Sequence, residues 1–466
     1  MLYTLVMAKK QILQNIKVKD LAYKGHAIAY HPEDKREIHI LGAVPGDTLD
    51  IEIYKRVKDI YYADVLKVLE SSKCRVEPKE GEVYKSTSPW QIFNFDCENK
   101  FKEDFVKLFF KEHADTALNS KIFFPQGFDT YNYRNKIEYG FFRDRETGKY
   151  SFSFFRRGSS RGKIPVHDSA LNTKEINETG KLFLDLINSK PPEFGVLKYL
   201  ILRYSFHEKN VVAHLIIQKD ELSALGFTQE DFEKLMQDSK GLIKGIVLSY
   251  STPETPGARV EKDFFKLGNT DIKEKVLNKT FFYSYDHFFQ VYVPVFEHAL
   301  QDIKDILKEL TEKRGQVFDT LTDFFAGVGV FGIALSEFAK NVQAVEISPE
   351  SKLYAEKNAK ENGLTNFSFK EASTDNATEF LQNTDLLILD PPRAGVPKDT
   401  IKAILKHKPE TIVYLSCNPK TQAMDYSWLK KDYRITHHRA YNLFPHTPHI
   451  EHLLILKRKN KNYSLK

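Results

Sequence analysis

From Pro294 onward, apolar runs of strand length alternate with segments of helical spacing, and this constrains the fold more than any other feature. Phe296, Ala299, Leu300, Ile303, Ile306, Leu307 and Leu310 recur at helical intervals. Pro294 opens that helix and Gly315 lies past its end. The pattern then predicts a strand over 318–323, a helix over 329–339, a strand over 342–346 and a helix over 349–362. Ser348 is the N-cap of the last helix and Gly363 its terminator. Strands over 385–389 and 411–416 follow. The fold class is α/β, with a Rossmann-like doubly wound parallel sheet at the C-terminal end. Such sheets carry their chemistry at the carboxyl ends of the strands.

Four motifs stand at such ends. Val413-Tyr-Leu-Ser-Cys-Asn-Pro-Lys420 is an apolar strand that Asn418 and Pro419 stop, leaving Cys417 at its end. A lone cysteine is more often a small apolar residue than a nucleophile. Asp323-Phe-Phe-Ala-Gly-Val-Gly329 ends an earlier strand, and its glycines let backbone approach a ligand. Bounded at Gly329, it lacks the third glycine of a dinucleotide fingerprint, and no Gly-Lys-Ser/Thr of a phosphate loop follows. Glu346 ends the next strand, where an acid suits the hydroxyls of a ribose. A glycine turn with a ribose acid and no phosphate cradle points to a nucleoside such as S-adenosylmethionine. Asp390-Pro-Pro-Arg-Ala-Gly395 is a rigid turn after another strand, readable as a plain terminator or as a base-recognition loop. Glu451 opens the final apolar strand, and a charged residue there implies a partner or a task. His446, His449 and His452 are scattered over loop and strand without a fourth ligand, so no metal site is expected.

The first two thirds read differently. Residues 9–70 hold five short period-2 runs separated by turn formers such as Val44-Pro-Gly-Asp47, which suggests a small OB-like β-barrel. An amphipathic helix is expected over 101–118, on Phe101, Phe105, Leu108 and Phe109. Residues 125–290 are strand-rich, and 134–163 interleave basic residues, among them Arg157 and Arg161, with tyrosines and phenylalanines. Basic heads can follow phosphates while aromatic faces stack on unpaired bases. A sheet with an aromatic core and a solvated charged face explains the same stretch. The 466 residues carry a net charge of +6, which permits a polyanionic partner without requiring one. No run of 18 apolar residues is present to span a membrane. The opening apolar stretch is too short for a signal segment, and Met7 is an alternative start. Cys74, Cys97 and Cys417 are odd in number and far apart, an argument against a disulfide framework and for a reducing cytosolic compartment.

Together these motifs, with Tyr133-Arg-Asn-Lys136 and Phe288-Phe-Gln-Val291, resemble in order the RNA 5-methyluridine (uracil-C5) methyltransferase family, over nearly the whole chain. The resemblance implies a TRAM barrel over 9–70, a central α+β RNA-binding domain over 71–285 and an S-adenosylmethionine-dependent methyltransferase domain over 286–466. It implies Cys417 as nucleophile and Glu451 as base. Gln290, Asp323, Phe325, Gly327, Gly329, Glu346 and Asp390 would line the cofactor site. Phe288, Gln290 and Asp390 would hold the uracil, and Arg134, Asn135, Lys136 and Arg393 would touch the RNA. A TRAM barrel in front suggests 23S rRNA as substrate, with tRNA the alternative, acted on by a cytoplasmic monomer. The family's iron–sulfur cysteines are not in place: the region 84–97 keeps only Cys97, so no cluster is expected. Tyr292 stands where the family usually has asparagine.

Overall fold

The computed structural model describes residues 11–23, 25–156, 162–373 and 376–459. Met7, Arg157 and Arg161 lie outside them. The chain divides into two compact units. One comprises the N-terminal segment through Phe105, with Phe154–Ile164 and Phe444–His449; the other holds the remainder.

The first unit is built on a six-stranded sheet of Gln11–Lys17, Asp20–Leu21, Ala27–Tyr30, Glu37–Leu41, Thr48–Val57 and Ile60–Glu70. This is one strand more than the period-2 runs predict, and it is consistent with a small β-barrel. Alternation places Leu49, Ile51 and Ile53 inside. The Val44–Asp47 turn is tied down by Asp47, whose buried carboxylate accepts from Val44 N (2.7 Å), Ser72 N (2.9 Å) and Arg75 Nη2 (2.6 Å). Cys74 and Cys97 are disulfide-bonded, which corrects the expectation of unpaired cysteines. Their separation of 23 residues is closed by the Arg75–Phe93 bridge and by Asn94 N donating to Cys74 O (2.8 Å). Glu98 and Lys102, one turn apart on a helix and both fully buried, form an ion pair at 2.7 Å. Further bonds run to the loop 444–449: Lys102 Nζ donates to Phe444 O (3.2 Å), and His446 N to Glu98 (2.9 Å). That helix spans Phe95–Ala114, starting earlier and ending sooner than its apolar stripe predicts. Asn94 Oδ1 accepts from Cys97 N (2.9 Å) and so starts the helix ahead of the stripe. Leu108 of the stripe is exposed.

The second unit contains most of a seven-stranded sheet over Lys136–Gly268, a hairpin of Asp271–Val276 with Lys279–Ser284, and an eight-stranded sheet. In the seven-stranded sheet the aromatic residues of the basic stretch are mostly core. Tyr139 and Phe152 stack at 4.1 Å, and Tyr133, Phe141 and Tyr150 are buried. For these residues the aromatic-core reading of the stretch holds, and base stacking does not.

The last sheet positions the site. Its strands are β1 (Phe318–Phe324), β2 (Ala339–Glu346), β3 (Phe367–Glu371), β4 (Leu386–Leu389), β5 (Thr411–Ser416), β6 (Tyr433–Tyr441) and β7 (Glu451–Arg458). They lie in the order β3-β2-β1-β4-β5-β7-β6, with Ile122–Phe123 added beside β6. β1 to β5 are parallel, and β7 runs antiparallel between β5 and β6. β4 and β5 are buried along their whole length, as their continuous apolar sequences require. Each such side chain contributes roughly 1.5–3 kcal/mol on burial. β1 lies between β2 and β4, so the chain reverses direction across the sheet at the end of β1, where ligands bind in such folds. The segment after β1 differs from the expected helix over 329–339. It is a five-residue helix, Val330–Ala334, then a short 3-10 turn, and β2 already begins at Ala339. Among the described residues no helix is long and apolar enough to cross a membrane.

Candidate active site

The carboxyl ends of β1, β2, β4 and β5 meet the start of antiparallel β7 at one edge of the sheet. The β1 turn reverses sharply: Phe325, Gly327 and Gly329 all have positive φ (62°, 51° and 85°). Gly329 N closes the turn onto Ala326 O at 2.8 Å. The positive φ at Gly329 favours glycine, and a Cβ there would also crowd Ile333 Cδ1 at 3.1 Å. Phe325 holds a left-handed backbone that costs a bulky residue on the order of 1 kcal/mol or more. Glu346 is fixed beside the turn, its carboxylate accepting from Gly327 N (3.1 Å), Ile347 N (2.8 Å) and Ser348 N (3.1 Å). A Cβ at Gly327 would meet nothing within 4 Å, so the turn faces open space next to that carboxylate. A fixed acid beside an open glycine turn fits the ribose end of S-adenosylmethionine, and the residues present suit that cofactor.

Asp323 behaves differently from the other residues grouped at this turn. It is fully buried, and its Oδ2 accepts from Gly332 N (2.8 Å). Its Oδ1 has no partner among the described residues. Burial pushes this carboxyl up to about 8, with the charges of Asp390 and Glu346 adding to the effect and the Gly332 bond opposing it. Asp323 therefore anchors the helix after the turn from inside. Gly332 stands three residues past Gly329 and completes a Gly-x-Gly-x-x-Gly spacing, which ending the motif at Gly329 overlooks. A Cβ there would come within 3.2 Å of Asp323 Oδ2 and of Val342.

At the ends of β4, β5 and β7 the Asp390 and Glu451 carboxyls and the Cys417 thiol gather around the Arg393 guanidinium. Burial pushes Asp390 up to about 7. Burial also holds the Glu451 carboxyl far above its usual range, with Asp390 raising it further and Arg393 opposing. The Cys417 thiol is pushed up to about 12, first by burial and then by Glu451 and Asp390. The Arg393 guanidinium counters this, by charge and by a hydrogen bond to the thiol. Arg393, assigned above to RNA contact, is thus the cation that faces the cysteine. Its loop is held from several sides. Asn418 Nδ2 donates to Arg393 O (2.9 Å), and Asp425 Oδ2 accepts from both Val396 N (2.9 Å) and the Tyr414 hydroxyl (2.7 Å). Gly395 (φ 85°) passes so close that a Cβ would stand 2.8 Å from Asp425 Oδ2. Nothing in the sequence around Asp425 marks this clamp. The next residue of the strand, His452, is fully buried and held neutral by desolvation. His452 Nδ1 donates to Gln422 Oε1 (2.6 Å), and Nε2 accepts from Ser120 Oγ (3.1 Å).

The segment before helix Val293–Arg314 supplies the remaining residues. Phe289 is buried and stacks on Tyr283 at 4.3 Å, which leaves its neighbour Phe288 75% exposed. Gln290 is buried, and its carbonyl accepts from Asn135 Nδ2 (3.2 Å). Asn135 N also donates to Val291 O (3.2 Å), so Asn135 braces this segment. Arg134 Nε donates to Lys136 O (2.8 Å), and Lys136 pairs with Glu138 (2.7 Å). The Arg134–Lys136 stretch is committed first to internal bonds. Tyr292 donates to Asp129 O (2.7 Å) and stacks on Tyr133 at 4.8 Å, a structural role for the residue found in place of asparagine.

The fold, the glycine turn and the fixed acid beside it fit an S-adenosylmethionine-dependent methyltransferase. The family described as tRNA (Uracil-5-)-methyltransferase matches residues 96–459. The chain belongs to that family and is an RNA methyltransferase. An uncharacterised RNA methyltransferase of Caldanaerobacter subterraneus subsp. tengcongensis is 26% identical, covering 97% of this chain and all of its own length. One of Bacillus cereus is 27% identical, with 95% and 96% covered. Among solved structures, the tRNA (uracil-54, C5)-methyltransferase of Pyrococcus abyssi, in complex with S-adenosyl-L-homocysteine, shares the fold. Its TM-score is 0.74 at 22% identity, covering 95% of this chain and 100% of that one.

Proposed function

We propose that this protein methylates carbon 5 of a specific uridine in RNA through a transient bond between Cys417 and carbon 6. The observation that carries this reading is the gathering of Cys417, Glu451, Asp390 and Arg393 at the strand ends beside the glycine turn. Bound S-adenosylmethionine supplies an electrophilic methyl group. The chain must make carbon 5 nucleophilic enough to take it. The Cys417 thiolate, favoured by Arg393, adds to carbon 6 and pushes electrons through the ring to carbon 5. Asp390, near half-protonated at neutral pH, donates to a ring oxygen where charge develops. Phe288 offers an exposed ring to the face of a uracil that has left its stack. After transfer, the carbon 5 proton goes to the Glu451 carboxylate and the carbon–sulfur bond breaks, returning the thiolate. Arg393 favours the ionised forms of both Cys417 and Glu451. Once the sulfur is a neutral thioether, the guanidinium serves the glutamate alone.

The substrate assignment is large-subunit ribosomal RNA, acted on in the cytoplasm by a monomer, on the strength of the barrel-like front module. Transfer RNA is the second reading, favoured by one observation. The enzyme from Pyrococcus abyssi, named for tRNA, matches 95% of this chain, too much to leave the front strands without counterparts. Mapping 5-methyluridine by mass in both RNAs from a deletion strain separates the two. For the chemistry, Glu451→Gln is expected to accumulate an RNA–protein adduct on a denaturing gel, while Cys417→Ala forms none and is inactive. Turnover by Cys417→Ala would refute the nucleophile.

A further inference from the structure

Helix Pro419–Leu429 begins two residues after Cys417, and its outer face is unusual. Lys420, Met424 and Trp428 follow at intervals of four residues, so they lie on one stripe, and Lys431 stands in the turn two residues past the helix end. All four are exposed, Met424 by 47% and Trp428 by 61%. The chain has two tryptophans, and the other, Trp90, is fully buried. Neither lysine has an ion pair among the described residues, whereas the one acid on the helix, Asp425, is engaged by Val396 N and the Tyr414 hydroxyl. The face therefore presents an aromatic plane and a flexible thioether between two free cations. From Lys420 to Trp428 the stripe runs about 12 Å at 1.5 Å per residue, with Lys431 just beyond. That is roughly the length of three or four stacked nucleotides.

We infer that this stripe is a docking track for the RNA segment flanking the target uridine, with an unpaired base stacked on Trp428 and phosphates against Lys420 and Lys431. The inference rests on the proposed reaction only in taking Cys417 as the point where the target base is held. An RNA strand is favoured over another occupant by the cations at both ends of the stripe and by its continuity with the nucleophile. Stacking of a base on an aromatic side chain is sequence-tolerant and adds affinity without touching the reacting atoms.

The test uses the full chain with unmodified tRNA and large-subunit rRNA transcripts. With RNA added, the exposed Trp428 is expected to lose fluorescence, and Trp428→Phe to remove most of that change. Trp428→Ala is expected to melt with the wild type and to bind RNA about 5- to 100-fold more weakly. Its KM for RNA rises in parallel, with kcat at saturating RNA retained. Unchanged affinity in Trp428→Ala, or quenching that survives in Trp428→Phe, overturns the docking track while leaving the methylation reading intact. A wild-type dimer that Trp428→Ala converts to monomer also overturns it, in favour of a second copy of the chain. A wild-type enzyme that binds both RNAs but methylates no uridine refutes the reaction, and the affinity comparison still decides the track.

Discussion

Removing the Arg393 guanidinium should make Cys417 harder to ionise. The thiol stands at about 12 with Arg393 in place, so at pH 8 about one site in ten thousand is thiolate. A hydrogen bond to a charged group is worth about 1.5–3 kcal/mol. Cys417 is only partly buried, so the lower end applies, close to one pKa unit. Arg393→Ala should therefore slow alkylation of Cys417 by a neutral reagent such as iodoacetamide about tenfold at any fixed pH. The other two cysteines are bonded to each other, so the signal is clean. In the wild type the rate should climb about tenfold per pH unit from 7 to 10 without levelling. Asp390→Asn should shift the profile the other way, because the Asp390 charge raises the thiol. A wild-type plateau below pH 9, or an Arg393→Ala enzyme as reactive as its parent, would show that the thiolate is preformed by some other group.

Two further outcomes follow from the fold. Asp323, Asp390 and the buried Glu274 stand at about 8, 7 and 7, against ordinary carboxyl values near 4. Each binds its proton more tightly folded than unfolded, so stability is greatest below pH 4 in these terms and is lost as pH rises towards 8. Thermal melting across pH 5–9 should show that decline, and Asp323→Asn should flatten it; an equal slope in the variant removes Asp323 as a cause. Cys97→Ser opens a loop of 23 residues and should cost about 3 kcal/mol in urea unfolding. Reductant should produce the same loss in the wild type and none in the variant, and identical midpoints throughout would mean that the bond carries no stability.

The sheet was legible because β1, β2, β4 and β5 are apolar runs ending in residues that cannot continue them, such as Gly327, Pro391 and Pro419. Cys417 and Asp390 stood out by position, and Glu451 by the cost of a carboxyl at the head of a buried strand. The aromatic residues around Tyr139 misled in part, because period and composition are the same for a stacked core and for a base platform; only the partner strand decides. Asp425 and Gln422 have no sequence neighbours that mark them, and their work is done across the fold on Val396, Tyr414 and His452. The cysteine pair escaped because the chain between two positions 23 apart returns through contacts that spacing does not encode.

The ion pair of Glu98 and Lys102 bears on how this chain comes off the ribosome. Both are sealed in the N-terminal unit, yet two of their bonds reach Phe444 and His446, about 340 residues later in synthesis. Until that short loop emerges, a buried cation and anion lack part of their solvation, a state that costs several kcal/mol when such groups are left incompletely paired. The first module made is thus among the last completed. Contacts of such long sequence separation slow folding, and an N-terminal unit left waiting is exposed to misassembly. A nascent chain arrested near residue 440 should hold that unit protease-sensitive, and release of the next ten residues should close it.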